Sequence, residues 1–283
     1  MQTINQLDPL RSAVRVLRLA GPLALVPTMG ALHEGHLSLM RAARTRAANV
    51  AVSIFVNPLQ FGAGEDLDAY PRQLARDAEM LEREGVALLW APPVAVMYPA
   101  GYATNVSVSG VSEGLCGAAR PGHFDGVATV VGKLFNQVQP DLALFGEKDW
   151  QQLAVIRRMA RDLDLTRPHV DAIYGVPTMR EPDGVAMSSR NGFLSAAERV
   201  QAAILPRAMH ETIACIASGA PVGPALDDLR EALVAGGFSS VDYAELREAD
   251  SLFPLTELTT VPARLLVAAR IGRTRLIDNM AVG

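Results

Sequence analysis

Residues 23–37 read Leu-Ala-Leu-Val-Pro-Thr-Met-Gly-Ala-Leu-His-Glu-Gly-His-Leu. An apolar run, Leu23 to Val26, passes through a glycine-bearing loop. The spacing predicts a helix starting near His36 and continuing through Leu37 and Met40. An apolar strand that feeds a helix is the repeating unit of parallel sheets. The unit recurs along the first half of the chain. Further apolar runs fall at Val50 to Val56, Val86 to Trp90, Leu142 to Phe145 and Val170 to Tyr174. Helical spacing lies between several of them, at Leu74, Ala78 and Leu81, at Val127, Val130, Val131, Leu134 and Val138, and at Leu153, Ile156, Met159, Ala160 and Leu163. The expected fold is α/β, a parallel sheet with helices on both faces. Ligands bind such sheets beyond the carboxyl ends of the strands.

The pattern changes after Gly175. Arg180-Glu-Pro-Asp-Gly reads as a turn. Ser195 is placed to cap a helix starting at Ala196, with Glu198 completing a capping box. A second helix is expected from about Pro224 to Val234. Strand-like runs follow at Val241 to Leu246, Leu265 to Ile271 and Arg273 to Ile277. Two domains are therefore expected: residues 1–175, and a smaller C-terminal α+β domain over 176–283, with a boundary soft by about ten residues.

Composition narrows the function classes. The chain has 283 residues, 49% hydrophobic and 20% charged, which excludes bulk disorder. A net charge of −4 argues against broad non-specific binding to nucleic acid. The two cysteines, Cys116 and Cys215, have no CxxC partner; both are expected as reduced core residues, in a cytosolic setting. No signal peptide and no membrane span is expected.

Four stretches carry chemistry. In the first, Gly30 and Gly35 suit close approach of backbone to a ligand, and a helix start offers free N–H groups to phosphate. His33 and His36, three apart, share one side of the first turn. Two solvent-facing histidines would give the same pattern singly, but two of the chain's five in one loop favour a site. Zinc chemistry of the H-E-x-x-H type needs one more residue between them. In the second, Asn57 and Gln60 offer uncharged donors and acceptors at a strand end, where a polar turn is the plain alternative. Glu65 to Pro71 then leads, as a lid or loop, into the next helix. The third is Gly146-Glu-Lys148-Asp149, with Asp149 placed to cap a helix, Lys148 suited to phosphate, and Gln152 one turn on. The fourth is Met187-Ser188-Ser189-Arg190-Asn191, whose hydroxyls and guanidinium suit a polyphosphate. Together they imply a nucleoside triphosphate held by side chains. No GxxxxGK[ST] loop is present.

These residues carry a resemblance. Pro27-Thr-Met-Gly-Ala-Leu-His-Glu-Gly-His36, Ser53-Ile-Phe-Val-Asn-Pro-Leu-Gln-Phe-Gly62, Glu65 to Arg72, Arg120-Pro-Gly-His-Phe-Asp-Gly-Val-Ala-Thr-Val-Val131, Phe145 to Gln152 and Arg180 to Asn191 resemble, in order and spacing, the motifs of the pantoate–β-alanine ligase family. Leu59 and Trp150 depart from the Thr and Tyr expected there. The resemblance implies a Rossmann-like domain and a two-step reaction. Pantoate attacks the α-phosphorus of ATP to give pantoyl adenylate and pyrophosphate, and β-alanine then displaces AMP.

By resemblance His33, His36, Lys148, Ser188, Ser189 and Arg190 are catalytic, with His36 the usual proton donor. Those six, with Met29, Gly30, Gly35, Gly146, Glu147, Asp149, Val176 and Met187, would bind ATP. Gln60 and Gln152 would hold pantoate. Gln60 would also admit β-alanine, aided by Asn57, Tyr70 and Arg120. Mg²⁺ would come with ATP and needs no dedicated protein cage. A cytoplasmic homodimer is implied as well. The competing readings are a sibling nucleotidyltransferase, which has no need of Gln60 and Gln152, and a silent nucleotide-binding module, which would have lost His36, Lys148 or Arg190.

Overall fold

The structure is a computed structural model that describes residues 1–62, 65 and 67–283. In chain order the first sheet region comprises β1 (Gln2–Ile4), α1 (Leu7–Leu19), β2 (Leu23–Thr28), α2 (Glu34–Arg44), β3 (Asn49–Ile54), α3 (Leu74–Arg83) and β4 (Leu88–Trp90). It continues through α4 (Val94–Met97), α5 (Leu115–Ala119), α6 (His123–Val138), β5 (Leu142–Gly146), α7 (Trp150–Asp162) and β6 (Ile173–Val176). The six strands are parallel, in the order β1-β4-β3-β2-β5-β6. From β2 the chain winds one way to β3 and β4, and the other way to β5 and β6. The order thus reverses between β2 and β5, where a crevice opens beyond the strand ends.

Strand alternation builds the two covering layers. Leu23 and Leu25 of β2, with Ala143 and Phe145 of β5, face α1, α6 and α7. Ala24 and Val26, with Leu142 and Leu144, face Leu39, Met40 and Ala43 of α2 and Leu81 of α3. Helix α6 is apolar on most of its surface because other elements enclose it; Val127, Val130, Val131, Leu134 and Val138 are all buried.

The remainder holds α8 (Ala196–Ala202), α9 (Ile204–Ala217), α10 (Val222–Ala235), β7 (Ser240–Glu248), β8 (Ala263–Ile271) and β9 (Thr274–Val282). Its strands form an antiparallel sheet, β7-β8-β9. One face, with Leu265, Val267 and Leu276, packs on Leu205, Met209 and Leu229 of the helices. The other brings Tyr243, Leu266 and Ala268 into the core of the first region. No helix among the described residues is long and apolar enough to cross a membrane.

Several expectations need correction. Helix α2 begins at Glu34, because His33 takes the extended conformation of an N-cap and its carbonyl accepts from His36 N–H at 2.8 Å. Residues Val170–Ala172 form a 3₁₀ turn, and the strand starts at Ile173. Asp149 occupies the N-cap position of α7 with φ −98° and ψ 57° and makes no side-chain cap bond. The tight turn at Glu147–Asp149 runs straight into α7, so that carboxylate lies beside Lys148 Nζ at 3.8 Å. Cys116 is buried as expected, but Cys215 is exposed, off the α9 stripe of Leu205, Met209, Thr212 and Ile216. The capping box of Ser195 and Glu198 is present. Within the stretch before α3, Asp66 lies outside the described residues.

Candidate active site

The loops after β2, β3 and β5 and the hairpin after β6 meet around a cavity of about 230 Å³. It opens into a cleft of about 890 Å³ between the two sheets. Arg120, His123, Lys148, Asp149, Gln152, Ser188 and Arg190 line both spaces. Met29, His33, Gly35, His36, Gln60 and Tyr70 line the smaller one, as do Gly146, Val176, Met187 and Ser189. Gly30 and Glu147 do not. A Cβ on Gly30, at φ +82°, would fall 2.9 Å from Asp77 Oδ2. Glu147 turns away to pair with Arg264 at 3.1 Å.

The histidine loop is held from behind by Asp77 of α3, a residue 1% exposed. Its two carboxylate oxygens accept the N–H groups of Ala31 and Leu32, both at 2.9 Å. The carboxylate is therefore satisfied by backbone and stabilises a turn in which Ala31 has φ +51°.

The imidazoles of His33 and His36 lie 4.1 Å apart, centroid to centroid. His36 Nδ1 accepts from the His33 backbone N–H at 3.3 Å. The proton of the neutral ring consequently sits on Nε2. His33 Nδ1 is buried with no partner among the described residues. Gly35 gives it room, since a Cβ there would stand 3.0 Å from the His33 ring and crowd it.

Burial, assisted by Lys148, lowers the pKa of His33 to about 4. Burial and the neighbouring His33 lower that of His36 to about 3. His123 is lowered to about 4 by burial and by Arg120. All three are neutral at pH 7, whereas unfolded imidazoles protonate near pH 6.5. Between these values the unfolded chain binds more protons, so stability is lost as pH falls from about 6.5 toward 4. Urea midpoints at successive pH values should show this fall, and His123→Gln should make it shallower. A midpoint flat across that window would contradict the burial of these rings.

Gln60, 9% exposed, is oriented by a relay. Tyr98 OH donates to Asn57 Oδ1 at 2.7 Å, and Asn57 Nδ2 donates to Gln60 Oε1 at 3.1 Å. Gln60 Nε2 then faces Met29 Sδ at 3.0 Å and the cavity. The Gln60 carbonyl is held by Arg120 at 3.2 Å and His123 at 2.8 Å. Arg120 is in turn paired with Glu65.

Asp77, Tyr98, Arg264, Asp278 and Asn279 were not among the residues singled out from the sequence. A signal existed for Asp77, which falls at helical spacing between Leu74 and Leu81, on the buried stripe of α3. Another existed for Asp278 and Asn279, polar neighbours inside the otherwise apolar run from Leu276 to Val282.

A family model described as Pantoate-beta-alanine ligase matches residues 2–281. The chain is 68% identical to a pantothenate synthetase of Novosphingobium aromaticivorans, over 100% of this chain and 99% of that one. It is 59% identical to one of Sphingopyxis alaskensis, over 100% of both. Among solved structures, pantothenate synthetase from Thermus thermophilus superposes with a TM-score of 0.92 at 48% identity, covering 100% of this chain and 99% of that one. Pantoate-beta-alanine ligase from Francisella tularensis, complexed with Beta-gamma ATP and Beta-alanine, gives 0.83 at 31% identity, covering 99% and 97%.

Proposed function

The chain belongs to the pantoate–β-alanine ligase family and joins pantoate to β-alanine with ATP, and we propose that it does so through pantoyl adenylate. A carboxylate oxygen of pantoate attacks the α-phosphorus, and the bond from that phosphorus to the bridging oxygen breaks. Pyrophosphate leaves. The free amine of β-alanine then attacks the acyl carbon, forming the amide and releasing AMP.

The observation that carries this reading is the convergence of two imidazoles, a lysine, a serine–arginine loop and two glutamines on one cavity at the reversal of strand order. Each group has a task in it. His36 Nε2–H and His33, with Lys148, Ser188, Ser189 and Arg190, meet the charge that grows on the departing phosphates. Met29, Gly35, Gly146, Asp149, Val176 and Met187 line the nucleotide's path; Gly30 and Glu147 act from behind it. Gln60 offers an N–H to pantoate, as does Gln152, and neither brings a charge that would repel a carboxylate. Gln60 and Arg120 also stand at the entrance for β-alanine. Alignment of two bound reactants supplies much of the rate.

Mg²⁺ arrives as part of the substrate MgATP; the described residues hold no cluster of three or more His, Cys, Asp or Glu suited to a metal. The division into residues 1–175 and 176–283, a homodimeric assembly and a cytoplasmic setting belong to the same reading. The end of β6 at Val176 supports the first, and family membership supports the other two.

The test is AMP release from MgATP in four mixtures: no further substrate, pantoate, β-alanine, and both. Sustained AMP is expected only with both. Sustained AMP without β-alanine, or none in any mixture, would overturn the reading.

A further inference from the structure

Strand β9 carries two adjacent buried polar residues, Asp278 and Asn279, that the chemistry above does not use. Successive strand residues point to opposite faces, and these two reach different loops. The Asp278 carboxylate accepts two bonds from the Arg180 guanidinium, at 2.6 and 3.0 Å. Arg180 opens the hairpin that pairs it with Ala186, and Met187 N–H then bonds Met179 O at 2.9 Å. That hairpin leads directly into Ser188, Ser189 and Arg190.

Asn279 gives both amide hydrogens to backbone carbonyls, those of Glu147 and Lys148, each at 2.9 Å. Its own oxygen accepts from Arg264. Arg264 also bonds Glu147 Oε2 at 3.1 Å and lies 3.4 Å over the Trp150 ring. One dipeptide thus ties down the base of the lysine loop and the base of the serine–arginine loop.

We propose that Asp278 and Asn279 form a positioning crosspiece that sets the spacing between Lys148 and Ser188–Arg190, the two arms that grip the triphosphate. The proposal rests on the adenylate reading above. Lysine is a mobile point charge on a flexible stem, so its aim depends on where its backbone is anchored. The crosspiece matters while the phosphates are in place, and its work ends when pyrophosphate has left.

The test uses Asn279→Asp and Asn279→Ala in the full chain. The first keeps the side chain's size and its acceptor for Arg264, and removes both donors. Two rates are measured: pantoate-dependent exchange of labelled pyrophosphate into ATP, and pantothenate formation from added pantoyl adenylate and β-alanine. Misplacement by about 1 Å can cost 10²-fold, so exchange is expected to fall by about 10- to 100-fold, in kcat more than in KM for pantoate. Pantothenate formation from the supplied adenylate is expected to stay close to that of the parent.

Unchanged exchange in both variants overturns the crosspiece while leaving the adenylate reading intact. An equal fall in both half-reactions overturns it too, since that is the mark of a general structural role. A parent chain that forms pantothenate but shows no exchange overturns the adenylate reading, and the crosspiece with it.

Discussion

His36→Ala is expected to slow pantoate-dependent ATP–pyrophosphate exchange by about 10²–10³-fold, the usual cost of losing one preorganised donor at a developing charge. The argument begins with its protonation state. Burial lowers its pKa to about 3, so at pH 7 the ring is neutral. Its Nδ1 is engaged by the His33 N–H, which leaves the proton on Nε2. A neutral donor fixed at the first turn of a helix needs no rearrangement as charge builds on the phosphate chain. It also benefits from the positive end of the helix dipole. The loss should appear in kcat, while ATP binding measured by titration calorimetry changes less. His36→Gln, which restores a donor without the ring, should recover part of the rate. An exchange rate equal to the parent's would remove His36 from the mechanism.

Arg180→Met is expected to destabilise the chain by about 3–5 kcal/mol, the range for removing one partner of a buried ion pair. The Asp278 side chain is 1% exposed and its carboxylate receives both terminal nitrogens of Arg180. Without the guanidinium, one N–H remains to it, from the Asn279 backbone at 2.7 Å. Burying an uncompensated carboxylate is costly, so the folded state must take up a proton or open. The double variant Arg180→Met/Asp278→Leu should recover much of the loss, since an apolar pair of similar volume often replaces an ion pair without penalty. Urea unfolding of the parent, the single and the double variant measures both. A single variant as stable as the parent would show that this pair contributes nothing net.

The sheet was legible because its strands are buried on both faces and read as unbroken apolar runs, as Leu142 to Phe145 does. The site loops were legible because glycine, histidine and lysine fall together directly after those runs. Strand order was not, since nothing local in Leu23 to Thr28 says that β5 rather than β1 lies beside it. β1 has only three residues, too few to show alternation. α1 has an amphipathic pattern, with Leu10 and Val14 turned to the core, but its helix was not read from the sequence. Asp149 was misread for a physical reason: an acidic residue before a helix suits a cap, yet the preceding 3₁₀ turn denies it the extended backbone that capping needs. The supports behind the site escaped because they come from distant parts of the chain. Asp77 holds the Ala31 and Leu32 amides from 46 and 45 positions away, and Tyr98 reaches Asn57 across 41.

The anchoring of two loops by β9 also bears on when the protein becomes competent during its synthesis. Asp278 meets a partner 98 positions earlier, and Asn279 one 132 positions earlier. Contacts across such separations must close long stretches of chain before they return any stability, so they form late. A ribosome-bound chain that has already folded the six-stranded sheet has its histidines, Lys148 and serines, but lacks the strand that spaces them. On the positioning proposal, such a chain is expected to support only slowed pyrophosphate exchange until β9 has docked.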